Sequence, residues 1–140
     1  MLVTARHRDE EALWPVDLHM PLGFEPPRYA LSIAAGAHGT GVLLAARAFL
    51  VNFVSAAHES VILEAGARSG RDGNKREAMG LQARPAVYID APRLDIAEGW
   101  LECGVEESRH MDDRVLVVAR VLHAETRPSG PSLFHAWRPR

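Results

Sequence analysis

The feature that most constrains this chain is the shape of its apolar runs, which are short, rich in β-branched residues and cut off by Gly, Pro or charge clusters. Such runs make strands with at least one buried face, because a helix needs a longer stripe at 3.6-residue spacing. The pattern predicts strands at about 2–5, 16–20, 29–34, 49–53, 86–89, 100–107 and 115–124. Two helices are predicted, over 40–46 and over 58–65, where Val61, Ile62 and Ala65 fall at helical spacing. A third, shorter helix is signalled at both ends. Asn74 stands as its N-cap with Glu77 three residues on, and Gly80 stops it with Leu81 able to fold back on the last turn. Residues 108–113 read as a hairpin loop between the last two strands, with Leu101, Cys103 and Val105 facing Val115, Val117 and Ala119. Strands with small helices inserted between them predict a mainly β protein, a β-barrel decorated by helices rather than a doubly wound sheet.

At 140 residues, with 47% hydrophobic and 24% charged, the chain suits a single domain over 1–140. Lys+Arg number 16 against 18 Asp+Glu, a net charge of −2, which leaves no cationic excess for a nucleic-acid partner. The single Cys103 excludes an internal disulfide and a cysteine-based zinc cluster, and reads as a packed thiol. No pair of His at i, i+4 or His-Glu-x-x-His suggests a metal site, and no nucleophile-and-base spacing suggests a catalytic residue. Charge enters at once with Arg6, Arg8, Asp9, Glu10 and Glu11, so a secretory signal is not expected and the cytoplasm is. The apolar stretch 48–57 contains Asn52 and Ser55 and falls short of the roughly 20 residues of a membrane span.

Two segments carry possible binding chemistry. Gly36, Gly39 and Gly41 follow a predicted strand and precede a predicted helix, but G-x-x-G-x-G is neither the dinucleotide fingerprint nor a Walker A loop. What remains is a helix N-terminus whose N–H groups at Gly39, Thr40 and Gly41, with the Thr40 hydroxyl, could receive a phosphate; alternatively Thr40 only caps its helix. The loop from Ser69 to Lys75 adds Arg71 and two glycines, so cations and backbone donors could converge on an anion, or the loop is simply solvated.

Taken in order, Pro21-Leu-Gly-Phe-Glu-Pro-Pro27, Phe49-Leu-Val-Asn52, the Ser69–Lys75 loop leading to Gly80-Leu81, Ala91-Pro92, Leu101-Glu-Cys103, the Asp113 hairpin and Leu133-Phe134-His135 resemble the flavin reductase-like family with the FMN-binding split β-barrel. The resemblance runs from about Pro21 to Trp137. It implies a homodimer with one FMN per subunit near the interface. It places Thr40, Arg71 and Lys75 where the cofactor phosphate and ribityl chain are held, and Asn52 at the end of a barrel strand close by. The implied activity is electron transfer from NADH or NADPH through FMN to free flavin, iron or a redox protein. A module on the same barrel that binds FMN or another flat ligand without turnover is the alternative.

Two departures from that pattern bear on the site. Pro15-Val-Asp-Leu-His-Met20 replaces a hydroxyl-bearing strand that contacts the flavin ring, and alternation is expected to turn Asp17 and His19 to solvent and Val16, Leu18 and Met20 to the ligand. Asp113-Arg114 stands where the family often has Asp-His. The large apolar groups Trp14, Trp100, Phe134 and Trp137, with a tail over 133–137, are expected to be covered across a subunit boundary.

Overall fold

A computed structural model describes residues 1–127. Nine strands and three helices follow one another as β1 (Leu2–His7), β2 (Glu10–Pro15), β3 (Leu18–Phe24), β4 (Pro27–Ala34), α1 (His38–Ala46), β5 (Ala48–Phe53), α2 (Glu59–Ala67), α3 (Lys75–Ala78), β6 (Ala83–Pro85), β7 (Pro92–Leu94), β8 (Gly99–Met111) and β9 (Arg114–Thr126). Short 3-10 turns lie at Ala56–His58 and Gly70–Asp72. Seven strands form one antiparallel sheet in the order β2-β1-β5-β8-β9-β4-β3, and β6 and β7 form a separate ribbon.

Connectivity forces this sheet to curl. Laid flat, β2 and β3 would stand about 29 Å apart, six inter-strand gaps of about 4.8 Å. Only Val16 and Asp17 join them, a link that reaches about 11 Å from Pro15 to Leu18. The two edges therefore meet at that link, and the sheet is a barrel split between β2 and β3. Its interior holds Val3, Leu31, Ile33, Phe49, Val51, Leu101, Cys103, Val115 and Val117, with Leu43 of α1 packed against them. Cys103 is buried there, and burial, with the neighbouring Glu102 carboxylate, pushes its thiol pKa well up, so it is an inert packed group.

The mainly β barrel with inserted helices is as expected; several boundaries are not. β2 escapes sequence reading because it opens on Glu10 and Glu11 and alternates only briefly. The strand expected over 16–20 is broken, since the chain leaves one edge of the sheet at Pro15 and begins the other at Leu18. Residues 86–89 are not a strand, because the N–H groups of Val87, Tyr88 and Ile89 donate to the buried carboxylate of Glu102 instead of to a neighbouring strand. The last hairpin closes in a two-residue turn at Asp112-Asp113, with Asp112 at φ 54°. Its strands thus run through the expected loop and the register shifts, pairing Leu101 with Ala124, Cys103 with Val121 and Val105 with Ala119.

The third helix matches its sequence signals. Asn74 Oδ1 accepts from the Glu77 N–H at 3.0 Å, Gly80 adopts φ 67°, and the Leu81 N–H returns to the Arg76 carbonyl at 3.0 Å. Leu81 is thereby turned into a second cluster with Leu2, Leu13, Ala65 and Leu94. This anchoring fixes Lys75 as the first residue of α3.

Candidate functional site

A cleft of about 590 Å³ opens where the barrel splits. Its walls are the β2-to-β3 crossing from Ala12 to Leu18, the end of β4 from Ser32 to Ala34, the start of α1 from Ala37 to Gly39, the segment around Ala65–Lys75, and Arg114. Trp14, Val16 and Leu18 supply apolar surface, and Arg68, Arg71, Lys75 and Arg114 supply positive charge against the single carboxylate of Asp17.

Three of these positive groups are held by neutral partners. Arg71 Nη2 donates to the Gly36 carbonyl at 3.0 Å. Lys75, 8% exposed, donates from Nζ to the Ala65 carbonyl at 2.8 Å. Arg114 donates from Nε to Ser32 Oγ at 3.1 Å and from Nη2 to the Ser32 carbonyl. Among the described residues none of these three forms an ion pair with a carboxylate, whereas Arg68 is paired with Glu64 at 2.7 Å. Burial holds the Lys75 ammonium below the usual lysine pKa. A buried cation without a counter-charge is costly, so its retention at a cleft wall suits an anionic ligand.

The start of α1 adds to this field. Ala37 caps the helix in extended conformation with no side-chain hydrogen bond, and the first turn has no acidic residue. Ala37, His38 and Gly39 line the cleft there, and the first N–H groups of a helix have no partner within it. Glycine at 39 lets the turn approach Trp14: a Cβ there would lie 2.3 Å from the indole Cε3.

Of the sequence-derived residues, the cleft brings together Gly39, Ser69, Arg71 and Lys75. Ser69 Oγ accepts from the Arg71 N–H at 3.2 Å, which shapes the turn that presents Arg71. Thr40, Gly41 and Asn52 do not line it. The helix begins at His38, two residues earlier than expected, which moves Thr40 into the first turn. There it is buried and its hydroxyl donates to the Ala34 carbonyl at 2.7 Å, so it neither caps the helix nor offers its proton to a ligand. Gly41 is exposed and its N–H is turned to the Ala37 carbonyl. Asn52 is fully buried; its amide donates to the Leu2 carbonyl and Thr4 Oγ1 and accepts from the Leu94 N–H at 3.0 Å, locking β5 to β1 and β7.

Asp17 is an exposed residue of the edge-to-edge link and does line the cleft, together with Val16 and Leu18. His19 and Met20 do not. The His19 imidazole instead lies 2.7 Å from the Tyr29 hydroxyl, and burial first, then the positive N-terminus, lower its pKa while Asp17 opposes them. Burial pushes the Tyr29 phenol up to about 12. Arg114 and Trp14 also line the cleft, although the sequence marked Arg114 only as a departure in the last hairpin and Trp14 only as an apolar group for a subunit boundary. Arg114 follows a hairpin turn by one position, a place where polarity is unremarkable, and only the β4–β9 register, Ala34 opposite Arg114, brings it to α1.

Comparison with known proteins gives this geometry a family. A family description, the flavin reductase-like domain, matches residues 1–138. Among curated proteins none matches the chain. The FMN-binding protein of Thermus thermophilus, solved with bound 1-cyclohex-2-enone, is 25% identical, with a TM-score of 0.82 over 89% of this chain and 68% of that one. Flavoredoxin of Desulfovibrio vulgaris (Miyazaki F) shares the fold at 19% identity and a TM-score of 0.82, covering 91% of this chain and 68% of that one. An NADH:FAD oxidoreductase of Streptomyces globisporus shares it at 17% identity and a TM-score of 0.82, covering 94% and 76%. The chain belongs to the flavin reductase-like family.

Proposed function

We propose that this protein is an FMN-binding oxidoreductase that takes electrons from NADH or NADPH and passes them to free flavin, iron or a redox protein. The observation that carries the proposal is the set Arg71, Lys75 and Arg114, three cations that pair with no carboxylate among the described residues and that gather at one cleft beside the uncapped start of α1. That donor set fits a flavin phosphate: Arg71 and Lys75 supply charge-assisted donors and the first turn of α1 supplies N–H groups.

FMN, when bound, supplies the hydride-accepting and electron-donating chemistry, which leaves this chain to hold, orient and shield it. Arg71 and Lys75 hold the phosphate end. Trp14, Val16 and Leu18 give the cleft an apolar wall that excludes water from a flat ring. Arg114, clamped on Ser32, adds a fixed positive charge that favours a ligand state carrying more negative charge. A visible absorption spectrum tests the proposal. Oxidised-flavin bands that bleach anaerobically with NADH or NADPH are expected. Bands that persist point to a binding module without turnover, and a protein that takes up no added FMN contradicts the proposal.

A homodimer belongs to the same proposal. On the outer face of the barrel, opposite the core, strand register aligns Leu18 with Ser32 and Leu116, and Met20 with Ala30 and Val118. Leu18 and Met20 are 57% and 56% exposed, an apolar face that would suit a second copy. Leu18 also lines the cleft, so a copy seated there would border the site. Trp100 gives no such support, being 4% exposed with Nε1 donating to the Leu94 carbonyl and Arg93 stacked on its ring. The tail over 133–137 lies outside the described residues.

A further inference from the structure

Arg68, Arg71 and Lys75 line the cleft from the segment Ala65–Lys75, whereas Arg114 lines it from the barrel itself. Arg114 opens β9 opposite Ala34 of β4, and strand alternation puts it on the same outer face as Leu116. From there its guanidinium reaches diagonally to Ser32, the residue paired with both Leu18 and Leu116. Nε donates to Ser32 Oγ at 3.1 Å and Nη2 donates to the Ser32 carbonyl. Both bonds use the side edge of the guanidinium. The end edge, an N–H on Nη1 beside an N–H on Nη2, has no partner among the described residues. Two parallel donors on a planar fork match the two oxygens of a carboxylate, and a fork already anchored to its strand loses little freedom on binding one.

We propose that the end edge of Arg114 is a subsite that selects the small molecule meeting the flavin in this cleft, and that this molecule is a carboxylate with an apolar body. The proposal rests on the reading of the cleft as a flavin site and adds a substrate class to it. A carboxylate is favoured over a phosphate by the charge at hand. Arg71 and Lys75 can meet a dianion together, but Arg114 is a single cation on its wall, and the Asp17 carboxylate lines the same cleft beside Leu18. One fork is matched by one negative charge; a second charge would meet no further cation on the barrel wall. Leu18, paired with Ser32 and 57% exposed, offers apolar surface next to the fork for the body of such a molecule. Arginine is also a departure of this chain from the family pattern, which often has histidine here. An imidazole has one nitrogen on each side of its ring and no fork, so the bidentate recognition belongs to this chain's own residue.

Benzoate and benzamide, planar probes that differ in the charge of one group, test this when titrated into the FMN-loaded full chain and followed by the shift of the flavin absorption bands. Benzoate should bind at least about tenfold more tightly than benzamide. Arg114→Gln should erase that difference. Arg114→Lys, which keeps the charge and loses the fork, should retain only part of it, and so should Ser32→Ala, which frees the side edge. Equal affinity for the two probes in the native chain, or a preference for benzoate that survives Arg114→Gln, overturns the proposal. An Arg114→Gln chain that no longer prefers FMN to riboflavin also overturns it, because the guanidinium then serves the flavin phosphate. If FMN does not bind to the native chain, the flavin reading falls instead, and calorimetric titration of benzoate and benzamide into the flavin-free chain and its Arg114→Gln variant still decides whether the fork takes a carboxylate.

Discussion

The ammonium of Lys75, the first residue of α3, donates to the carbonyl of Ala65 in the last turn of α2 at 2.8 Å. This satisfies one of the carbonyls that every helix leaves free at its C-terminus and puts a positive charge against the negative end of the α2 dipole. It also holds a cation in the wall of the cleft that forms no ion pair with a carboxylate among the described residues.

That arrangement has a sign that can be measured. Burial lowers the Lys75 pKa in the folded chain below its ordinary 10.5, so the folded state without ligand gains stability as pH rises through the lowered value and loses it as pH falls back. Lys75→Met should remove this dependence. The lost hydrogen bond costs about 1 kcal/mol, and removal of an uncompensated buried charge offsets much of that. Urea denaturation between neutral and alkaline pH measures it, and a variant as pH-dependent as the native chain contradicts the assignment.

Glu11 ties two walls of the cleft together. Its carboxylate accepts from Arg76 of α3 at 2.5 Å and from Arg6 of β1 at 2.7 Å. Burial alone would raise its pKa, but the hydrogen bonds from Arg76 and Arg6 outweigh this and hold it below the ordinary value of 4.5. The stabilisation is present above that value and is lost as pH falls through the lowered one. Glu11→Gln should cost about 2 kcal/mol at neutral pH and little in strong acid, as read by denaturation at both pH values. A constant cost across pH would contradict the ion-pair account.

The close approach of α1 to Trp14 predicts an asymmetry between two glycines. Gly39→Ala places a Cβ 2.3 Å from the Trp14 ring, which must shift from the cleft wall; a cost of about 1–3 kcal/mol is expected, with weaker flavin binding. Gly70→Ala meets the His38 ring, with Cδ2 at 2.6 Å, a side chain that can rotate away. Thermal denaturation of the two variants should rank Gly39→Ala as the more damaging, and equal effects would contradict this packing.

The apolar outer face predicts the effect of a charge placed in it. Met20→Glu should leave the barrel folded, because the side chain is already 56% exposed, and should convert a dimer to a monomer in sedimentation equilibrium at micromolar concentration. A native chain that sediments as a monomer contradicts the dimer, and a variant that stays dimeric puts the interface elsewhere.

How much of this was legible in the sequence depended on the range of the forces involved. The α3 caps at Asn74 and Gly80 are local, and so were readable. The buried Glu102 that captures the N–H groups of 87–89 acts across more than a dozen positions, and a run that looks like a strand becomes a pinned loop. At the site, the loop from Ser69 to Lys75 was readable because its cations and turn residues lie together. Asn52 was placed near the site only by the family resemblance, and the buried amide that bridges β1, β5 and β7 is a role that depends on strand pairing and so is not contained in the local sequence. Arg114 reaches the cleft only through the pairing of β4 with β9, a register that local sequence does not contain.

The claim that joins these observations is that the uncompensated cations of the cleft exist to hold a phosphate. Calorimetric titration of the protein with FMN and with riboflavin, which differ only in that group, tests it most directly. FMN should bind about a hundredfold more tightly, the equivalent of two charge-assisted hydrogen bonds, and the double change Arg71→Ala plus Lys75→Ala should remove the difference; equal affinity for the two flavins in the native chain would contradict the account.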